Sequence, residues 1–377
     1  MRDAKNRSIS SIVRSLGKLS RRWLKRKYSF RRKAVHRLIQ RSHFSQNMAE
    51  ALLDALFAEL TAPKLIQLLK SEIKDPLVLD GFRRDPVSGN FHRANGPRLI
   101  THIFSGNVPN PAIVSFILGM LVKSTNVGKV SSEDLGFLDI YLQSLMSHDK
   151  RLGRTNFLLR PKDKKSLRRW MRASDLVVAY GSDETLARLK KNVPAKASFA
   201  GYGHRVSFGI YAKEVLTEKN LVGFAKKTAR DIWMTDQRGC LSPTEIFLEG
   251  SKEELLAEFS GALAKEIERL FVMRTWRLPV RVDAAHVIGL AGRKMVRVRM
   301  IKDLENIPKI LMPIEKYLQA MSLEASAKRR KALADRLSVI GVNRICRAGQ
   351  MQKPPITWHH DGKPNLAAWL TWTDLEE

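Results

Sequence analysis

Cysteine is scarce in this chain: its 377 residues hold two, Cys240 and Cys346. A disulfide framework needs more, so the sequence points to a reducing compartment. Also missing is an apolar run of the roughly 20 residues needed to cross a bilayer. The longest, residues 112–122, is about half that length and suits a buried or interfacial helix. No apolar signal-peptide core followed by a small-residue cleavage site stands at the N-terminus. The expected location is therefore the cytoplasm. The Gly-x-Gly-x-x-Gly fingerprint of many dinucleotide sites is absent, and so are internal repeats and low-complexity tracts. Acidic residues are the minority charge, 37 Asp+Glu against 67 Lys+Arg, for a formal net charge of +30. Such a surface attracts polyanions: nucleic acid, anionic membrane or phosphorylated ligands. Charge alone does not choose among them.

What is present suits a globular protein of two packed domains or one large α/β unit. Hydrophobic residues make up 44%, enough to bury a sizeable core. Residues 8–72 read as helices. Ile9, Ile12, Val13, Leu16 and Trp23 share one side of a 3.6-residue period, and Met48, Leu52, Ala55 and Leu56 repeat the pattern. Between them lie cation runs such as Arg21-Arg22-Trp-Leu-Lys-Arg-Lys27 and Arg31-Arg32-Lys33. The expected picture is an amphipathic layer with its cations in solvent. A segment rich in Asp, Pro and Gly, residues 75–97, reads as a linker. Beyond it, strands at 99–104, 126–130, 156–159 and 175–180 alternate with helices at 111–123, 134–146, 167–171 and 185–191. That alternation predicts an α/β fold with a mostly parallel sheet, whose ligands bind in loops at the carboxyl ends of the strands. A second region begins near Gly203, with strands at 206–211, 245–249 and 297–300 and helices at 221–234 and 252–271. The tail from Gly341 returns to loop chemistry. The expected division is 1–74, 75–202, 203–340 and 341–377.

Several residues could carry chemistry. Cys240 follows a helix and precedes a strand, and Gly239 leaves room beside its sulfur for a carbonyl. A thiolate there would be a strong nucleophile toward thioesters. The same residue also reads as a small buried hydrophobe. Asn107, on the loop after the strand at 99–104, could donate to an oxyanion or simply favour a turn. Gly181 and Ser182 form a strand–helix junction that offers N–H groups to a pyrophosphate, although Ser182 also suits a helix cap. Lys129 and Ser131 stand at a strand end, where an amine and a hydroxyl could hold a ribose or its phosphate, or lie on the surface. His204 suits acid–base work, a phosphate contact or a structural role. His359, His360 and Asp361 lack the i, i+4 spacing of a helical metal site, so no metal is expected. Cys346 reads as structural.

Taken in order, these segments resemble the LuxC-type acyl-CoA reductases, a branch of the aldehyde dehydrogenase superfamily and the fatty-acid reductase component associated with bacterial luciferase. The likeness runs through His102-Ile-Phe-Ser-Gly-Asn-Val-Pro109, Lys129-Val-Ser-Ser-Glu133, Ala179-Tyr-Gly-Ser-Asp-Glu184 and Gly201-Tyr-Gly-His-Arg-Val-Ser-Phe208. It continues in Asp236-Gln-Arg-Gly-Cys-Leu-Ser-Pro243, Gly341-Val-Asn-Arg-Ile-Cys346 and Trp358-His-His-Asp-Gly362. The resemblance implies an aldehyde-dehydrogenase-like fold: a Rossmann-like cofactor domain, an α/β catalytic domain and a helical N-terminal layer. It also implies reduction of long-chain acyl-CoA by NADPH to a fatty aldehyde. Cys240 matches the nucleophile and Asn107 the oxyanion-hole residue. Lys129 and Gly181-Ser182 match cofactor positions.

Two departures from the wider superfamily stand out. The Glu of hydrolytic members is missing from Gly201-Tyr-Gly-His204, which fits an acyl-enzyme meant for hydride rather than water. The ribose-binding Glu-x-Phe-Gly-Pro motif is absent after Cys240. The implied partners are a long-chain acyl-CoA or other acyl thioester, an acyl-transferring protein, a second copy of the chain and, through the basic surface, the membrane periphery. The competing reading is a degenerate member of the fold that binds nucleic acid or anionic membrane.

Overall fold

Ser8 starts the first helix by accepting a hydrogen bond from the Ser11 N–H at 3.3 Å, and an apolar stripe then carries α1 over Ile9–Trp23. The computed structural model describes residues 5–42, 44–106, 110–131, 136–159, 163–271, 281–283, 286–288 and 295–376. They group into two units, one of Met1–His204, Pro355–Thr357 and Lys363–Glu377, the other of Arg205–Pro354 and Trp358–Gly362.

In the first unit α1 is followed by α2 (Ser29–Ser42), α3 (Gln46–Ala58) and α4 (Ala62–Ile73). Ile9, Ile12, Val13, Leu16 and Trp23 are all buried, as their spacing predicts. Trp23 stacks on Phe57 with centroids 4.7 Å apart, and its Nε1–H donates to Ser144 Oγ at 3.0 Å. One cation departs from the expected solvent face. Arg31 is fully buried, donates to the Trp23 carbonyl at 2.8 Å and pairs with Glu50 and Asp54. Three groups share the burial of that charge, which alone would be prohibitive.

Residues 75–97 are not a plain linker. They hold β1 (Arg83–Arg84) and β2 (Phe91–Asn95), paired antiparallel, and β2 pairs in turn with Thr371–Leu375 near the end of the chain. The turn is built by Asp85, whose carboxylate accepts from the N–H of Val87 at 2.7 Å, and by Gly89 at φ +79°. The Asp, Pro and Gly of this segment therefore mark a hairpin, and Thr371–Leu375 of the tail is its third strand rather than loop.

The main sheet of this unit is wholly parallel in the order β5-β4-β3-β6-β7, made of β3 (Leu99–Ile103), β4 (Thr125–Lys129), β5 (Asn156–Leu159), β6 (Leu176–Tyr180) and β7 (Ser198–Tyr202). Its helices are α5 (Asn110–Leu121), α6 (Phe137–His148), the short α7 (Lys150–Gly153), α8 (Lys164–Ala173) and α9 (Asp183–Lys190). β7 escapes the sequence pattern because Ser198-Phe-Ala-Gly-Tyr202 shows neither alternation nor a strong apolar run. A chain of buried polar side chains crosses the sheet. His102 bonds Ser115 Oγ at 2.8 Å and Asn126 Oδ1 at 3.0 Å, Asn126 donates to Asn156 at 2.9 Å, and Asn156 donates to the Leu152 carbonyl at 2.8 Å. Burial lowers the His102 pKa to about 4, against the opposing pull of Asn126. A histidine that stays neutral in the fold down to about 4, but takes a proton below about 6.5 when unfolded, weakens the fold as pH drops. Thermal stability should therefore decline as pH falls from about 6.5 toward 4, and His102→Gln should flatten that decline.

In the second unit the sheet order is β10-β11-β12-β9-β8-β13-β14. Its strands are β8 (Val206–Tyr211), β9 (Pro243–Glu249), β10 (Arg281–Asp283), β11 (His286–Ile288), β12 (Met295–Ile301), β13 (Leu318–Glu324) and β14 (Arg344–Cys346). The five from β12 to β14 run parallel, while β10 and β11 form an antiparallel edge. Helices α10 (Glu218–Trp233) and α11 (Glu253–Phe271) pack together, and α12 (Ile307–Leu311) and α13 (Ala327–Val339) share a core cluster with β13. Every residue of β13 is buried. Gln319 and Ser322 interrupt its apolar run, which hides this central strand from a reading of periodicity. Among the described residues, no helix is long and apolar enough to cross a membrane.

Candidate active site

The Cys240 loop joins α10 to β9. After Trp233 the chain reverses through Asp236 and Gln237, both left-handed at φ 52° and 54°. Such backbone is costly for residues other than glycine, and the loop is braced to hold it. The Gln237 N–H returns to the Ile232 carbonyl at 3.1 Å, Arg238 pairs with Asp236 at 3.1 Å, and Thr235 bonds Ser242 at 2.9 Å. Ser207 of β8 donates to the Cys240 carbonyl at 2.6 Å and accepts from the Ala320 N–H of β13 at 3.2 Å. The thiol-bearing residue is thus fixed to two central strands.

The half-buried Cys240 packs with Leu241, Ala320, Cys346, Met351 and Trp358. Met351 is positioned through Asp231, whose carboxylate accepts from the N–H groups of Gly349 at 2.6 Å and Met351 at 3.0 Å. One polar group reaches the sulfur from β13: Gln319 Nε2 lies 4.0 Å from Cys240 Sγ. The same nitrogen donates to Asp361 Oδ1 at 2.8 Å, and Asp361 Oδ2 accepts from Arg205 Nε at 3.0 Å and Nη2 at 2.8 Å. Burial, followed by the Asp361 carboxylate, pushes the Cys240 thiol up to about 11; Gln319, the Cys240 backbone N–H and Arg205 pull the other way. The resting group is a thiol, and its nucleophilic form needs a rise in pH or a proton acceptor.

Cys346 Sγ donates to the Met321 carbonyl at 3.5 Å, in keeping with a structural role. His360 lies beside Trp358, with Nε2 3.5 Å from Asp361 Oδ1, and burial lowers its pKa.

In the first unit, the carboxyl ends of β4 and β6 carry the remaining candidates. Lys129 closes β4, half-buried, with burial lowering the pKa of its amine. Two residues on, Ser131 Oγ is buried and has no hydrogen-bond partner among the described residues. A ribose or phosphate would satisfy such an orphaned hydroxyl. Gly181 and Ser182 follow β6. The Ser182 side chain accepts from the Thr185 N–H at 3.3 Å, so it caps α9. Asp183 and Glu184 fill the first turn of that helix and oppose an anion there. Lys129 and Ser131 therefore suit a dinucleotide better than the α9 N-terminus does. A ladder of rings, Phe104 on Tyr180 at 5.6 Å and Tyr180 on Tyr202 at 4.7 Å, runs along the same strand ends. His204 is exposed between β7 and β8, and its N–H meets Asp183 Oδ1 at 3.4 Å. Asn107 lies outside the described residues.

Cys240 and its neighbours belong to the second unit; Lys129, Ser131, Gly181, Ser182 and His204 belong to the first. The sequence singles out neither Gln319 nor Arg205, and Asp361 stands out in it only as a possible metal ligand. Arg205 and Asp361 stand in segments that already carry the family likeness, but their pairing spans 156 residues. Gln319 carries no local signal.

A model of the acyl-CoA reductase (LuxC) family matches residues 4–283 and 273–372. A long-chain acyl-protein thioester reductase of Photorhabdus luminescens is 26% identical over 265 residues, covering 69% of this chain and 53% of the relative. The match thus spans about half of that relative's length. One of the same description from Photorhabdus laumondii is 24% identical over 98% of this chain and 82% of its own. Among solved structures, a NAD-dependent benzaldehyde dehydrogenase from Corynebacterium glutamicum superposes with a TM-score of 0.71 at 10% identity, over 100% of this chain and 87% of that one. An acetylating aldehyde dehydrogenase from Geobacillus thermoglucosidasius gives 0.69 at 11% identity, over 99% and 92%. The fold is aldehyde-dehydrogenase-like, as the sequence implied.

Proposed function

The chain belongs to the acyl-CoA reductase (LuxC) family, and from that premise we propose that it reduces a long-chain acyl thioester to a fatty aldehyde through an acyl group on Cys240. The observation that carries this reading is Cys240, its carbonyl held by Ser207 of β8 and its sulfur 4.0 Å from the Gln319 carboxamide of β13.

The Cys240 thiolate attacks the thioester carbonyl, forming a C–S bond and an oxyanion. The Cys240 N–H and the Asn107 amide are the proposed donors to that oxyanion; loss of one such donor typically raises the barrier by roughly 3–4 kcal/mol. Collapse expels the donor thiolate and leaves an acyl-cysteine. When bound, a reduced nicotinamide dinucleotide, NADPH in this reading, supplies the hydride that turns the acyl group into an aldehyde, as the C–S bond breaks and the Cys240 thiolate is restored. Lys129 and Ser131 are its proposed anchors, with Gly181 and Ser182 proposed to contribute from the end of β6, and the Lys129 amine suits a ribose phosphate. His204 is proposed to take the Cys240 thiol proton before attack and to pass it to the departing thiolate. The segment Gly201-Tyr-Gly-His204 holds no carboxylate that would activate water, so hydrolysis is disfavoured.

The acyl donor is a CoA thioester or an acylated protein, the class named in the relatives' descriptions. The +30 net charge complements either an acidic carrier or CoA phosphates. The test is cofactor oxidation, followed at 340 nm with NADPH and with NADH, using a long-chain acyl-CoA and an acylated carrier protein in turn. Aldehyde formed in step with oxidation is the expected result. No oxidation with any pairing, together with DNA or anionic-vesicle binding of steep salt dependence, would replace the reading with that of a polyanion binder.

A further inference from the structure

Gln319 is fully buried, and both ends of its carboxamide are held. Oε1 accepts from Asn343 Nδ2 at 3.2 Å, while Nε2 donates to Asp361 Oδ1 at 2.8 Å. A flipped amide would set its oxygen against the Asp361 carboxylate, so the network dictates the orientation. An amide nitrogen has two hydrogens. One goes to Asp361, and the other is available to Cys240 Sγ at 4.0 Å.

Asp361 is itself pinned. It sits in a left-handed conformation at φ 54°, with Arg205 on its second oxygen, and Arg205 also holds the Lys316 carbonyl. The charge of Arg205 is therefore spent on Asp361, and the sulfur faces an amide dipole rather than a cation.

We infer that Gln319 is a catalytic residue of the proposed reaction, donating its second N–H to the Cys240 sulfur as the thiolate forms, and that Asp361, held by Arg205, is the positioning residue that aims it. This deepens the acyl-cysteine reading and rests on it. Among the described residues, the ionisable groups on elements packed about Cys240 include His360 beside Asp361, Cys346 in the apolar cluster, Arg344 over Trp358, Asp231 on Met351 and the Asp236–Arg238 pair on the Cys240 loop.

Substitutions at the two positions should have opposite signs. Gln319→Leu removes the donor that favours the thiolate. Gln319→Asn keeps a carboxamide but draws it back by one methylene. Both should raise the thiol's titration midpoint by about one pH unit, a tenfold slower reaction near neutrality. Asp361→Asn keeps an acceptor for Gln319 while removing a negative charge, so it should lower the midpoint.

The measurement is the rate of iodoacetamide alkylation of the Cys240 peptide, read by mass spectrometry apart from Cys346, across pH 7–11, with thermal unfolding to confirm folding. In the cofactor-oxidation assay, the Gln319 variants should lose about tenfold in kcat/KM at neutral pH and recover as pH rises. A purely structural role would not give that recovery. Folded Gln319 variants that alkylate with the wild-type pH profile would overturn the inference. So would an Asp361→Asn midpoint that stays put or rises. Alkylation needs neither thioester nor cofactor, so opposed shifts without any reductase activity would sink the functional reading and leave the arrangement around the sulfur standing.

Discussion

Cys240→Ala should abolish acyl-thioester-dependent cofactor oxidation, lowering turnover by at least about 10³-fold while the protein stays folded. The size follows from the covalent route: without the sulfur there is no acyl-enzyme, and the bound thioester has no nucleophile to displace its donor. Cys346 cannot take over. Its sulfur donates to the Met321 carbonyl, whereas the Cys240 sulfur faces the Gln319 carboxamide. Folding should survive because the loop is held through the Cys240 carbonyl by Ser207 and by the bonds of Thr235 and Gln352 to Ser242, none of which needs the thiol. Circular dichroism and the thermal midpoint check the fold, and absorbance at 340 nm checks the rate. Activity within tenfold of wild type would contradict the role.

Arg329→Met should be among the most destabilising single changes in the chain, by about 3–5 kcal/mol in chemical denaturation. Glu249 ends β9 with its side chain 1% exposed, and Arg329 of α13 pairs with it. The same carboxylate accepts from the N–H of Lys213 at 3.0 Å and of Leu304 at 3.1 Å, and Arg329 also pairs with Glu214 at 2.9 Å. Removing the arginine strands a buried charge. Burial raises the Glu249 pKa, but Arg329 and the two backbone donors override it and bring the group down to about 2. A carboxyl with a depressed native pKa stabilises the fold above its ordinary range, and that contribution fades as pH falls toward 2. The gap between wild type and Arg329→Met should therefore narrow from pH 5 to pH 2. A gap below about 1 kcal/mol at pH 7 would show that the pair has no more worth than an exposed one.

The ease of reading this chain from its sequence varied with the physics of each part. The strands at 99–104 and 206–211 and the stripe of α1 were legible because apolar periodicity records burial directly. The hairpin at 83–95 was not, because its third strand lies near residue 373 and pairing partners leave no local trace. β13 was hidden by Gln319 and Ser322, yet the polar residue that conceals the strand is the one that reaches the sulfur. Cys240 could be singled out by its loop and its family likeness. Its surroundings could not, since Arg205, Gln319 and Asp361 converge from three distant segments.

The most direct test of the central claim is to incubate the protein with a labelled long-chain acyl thioester, without nicotinamide cofactor, and locate the label by mass spectrometry. The account predicts one acyl group, on Cys240, released as aldehyde when NADPH is added. A label on Cys346, on another residue or on none would contradict it.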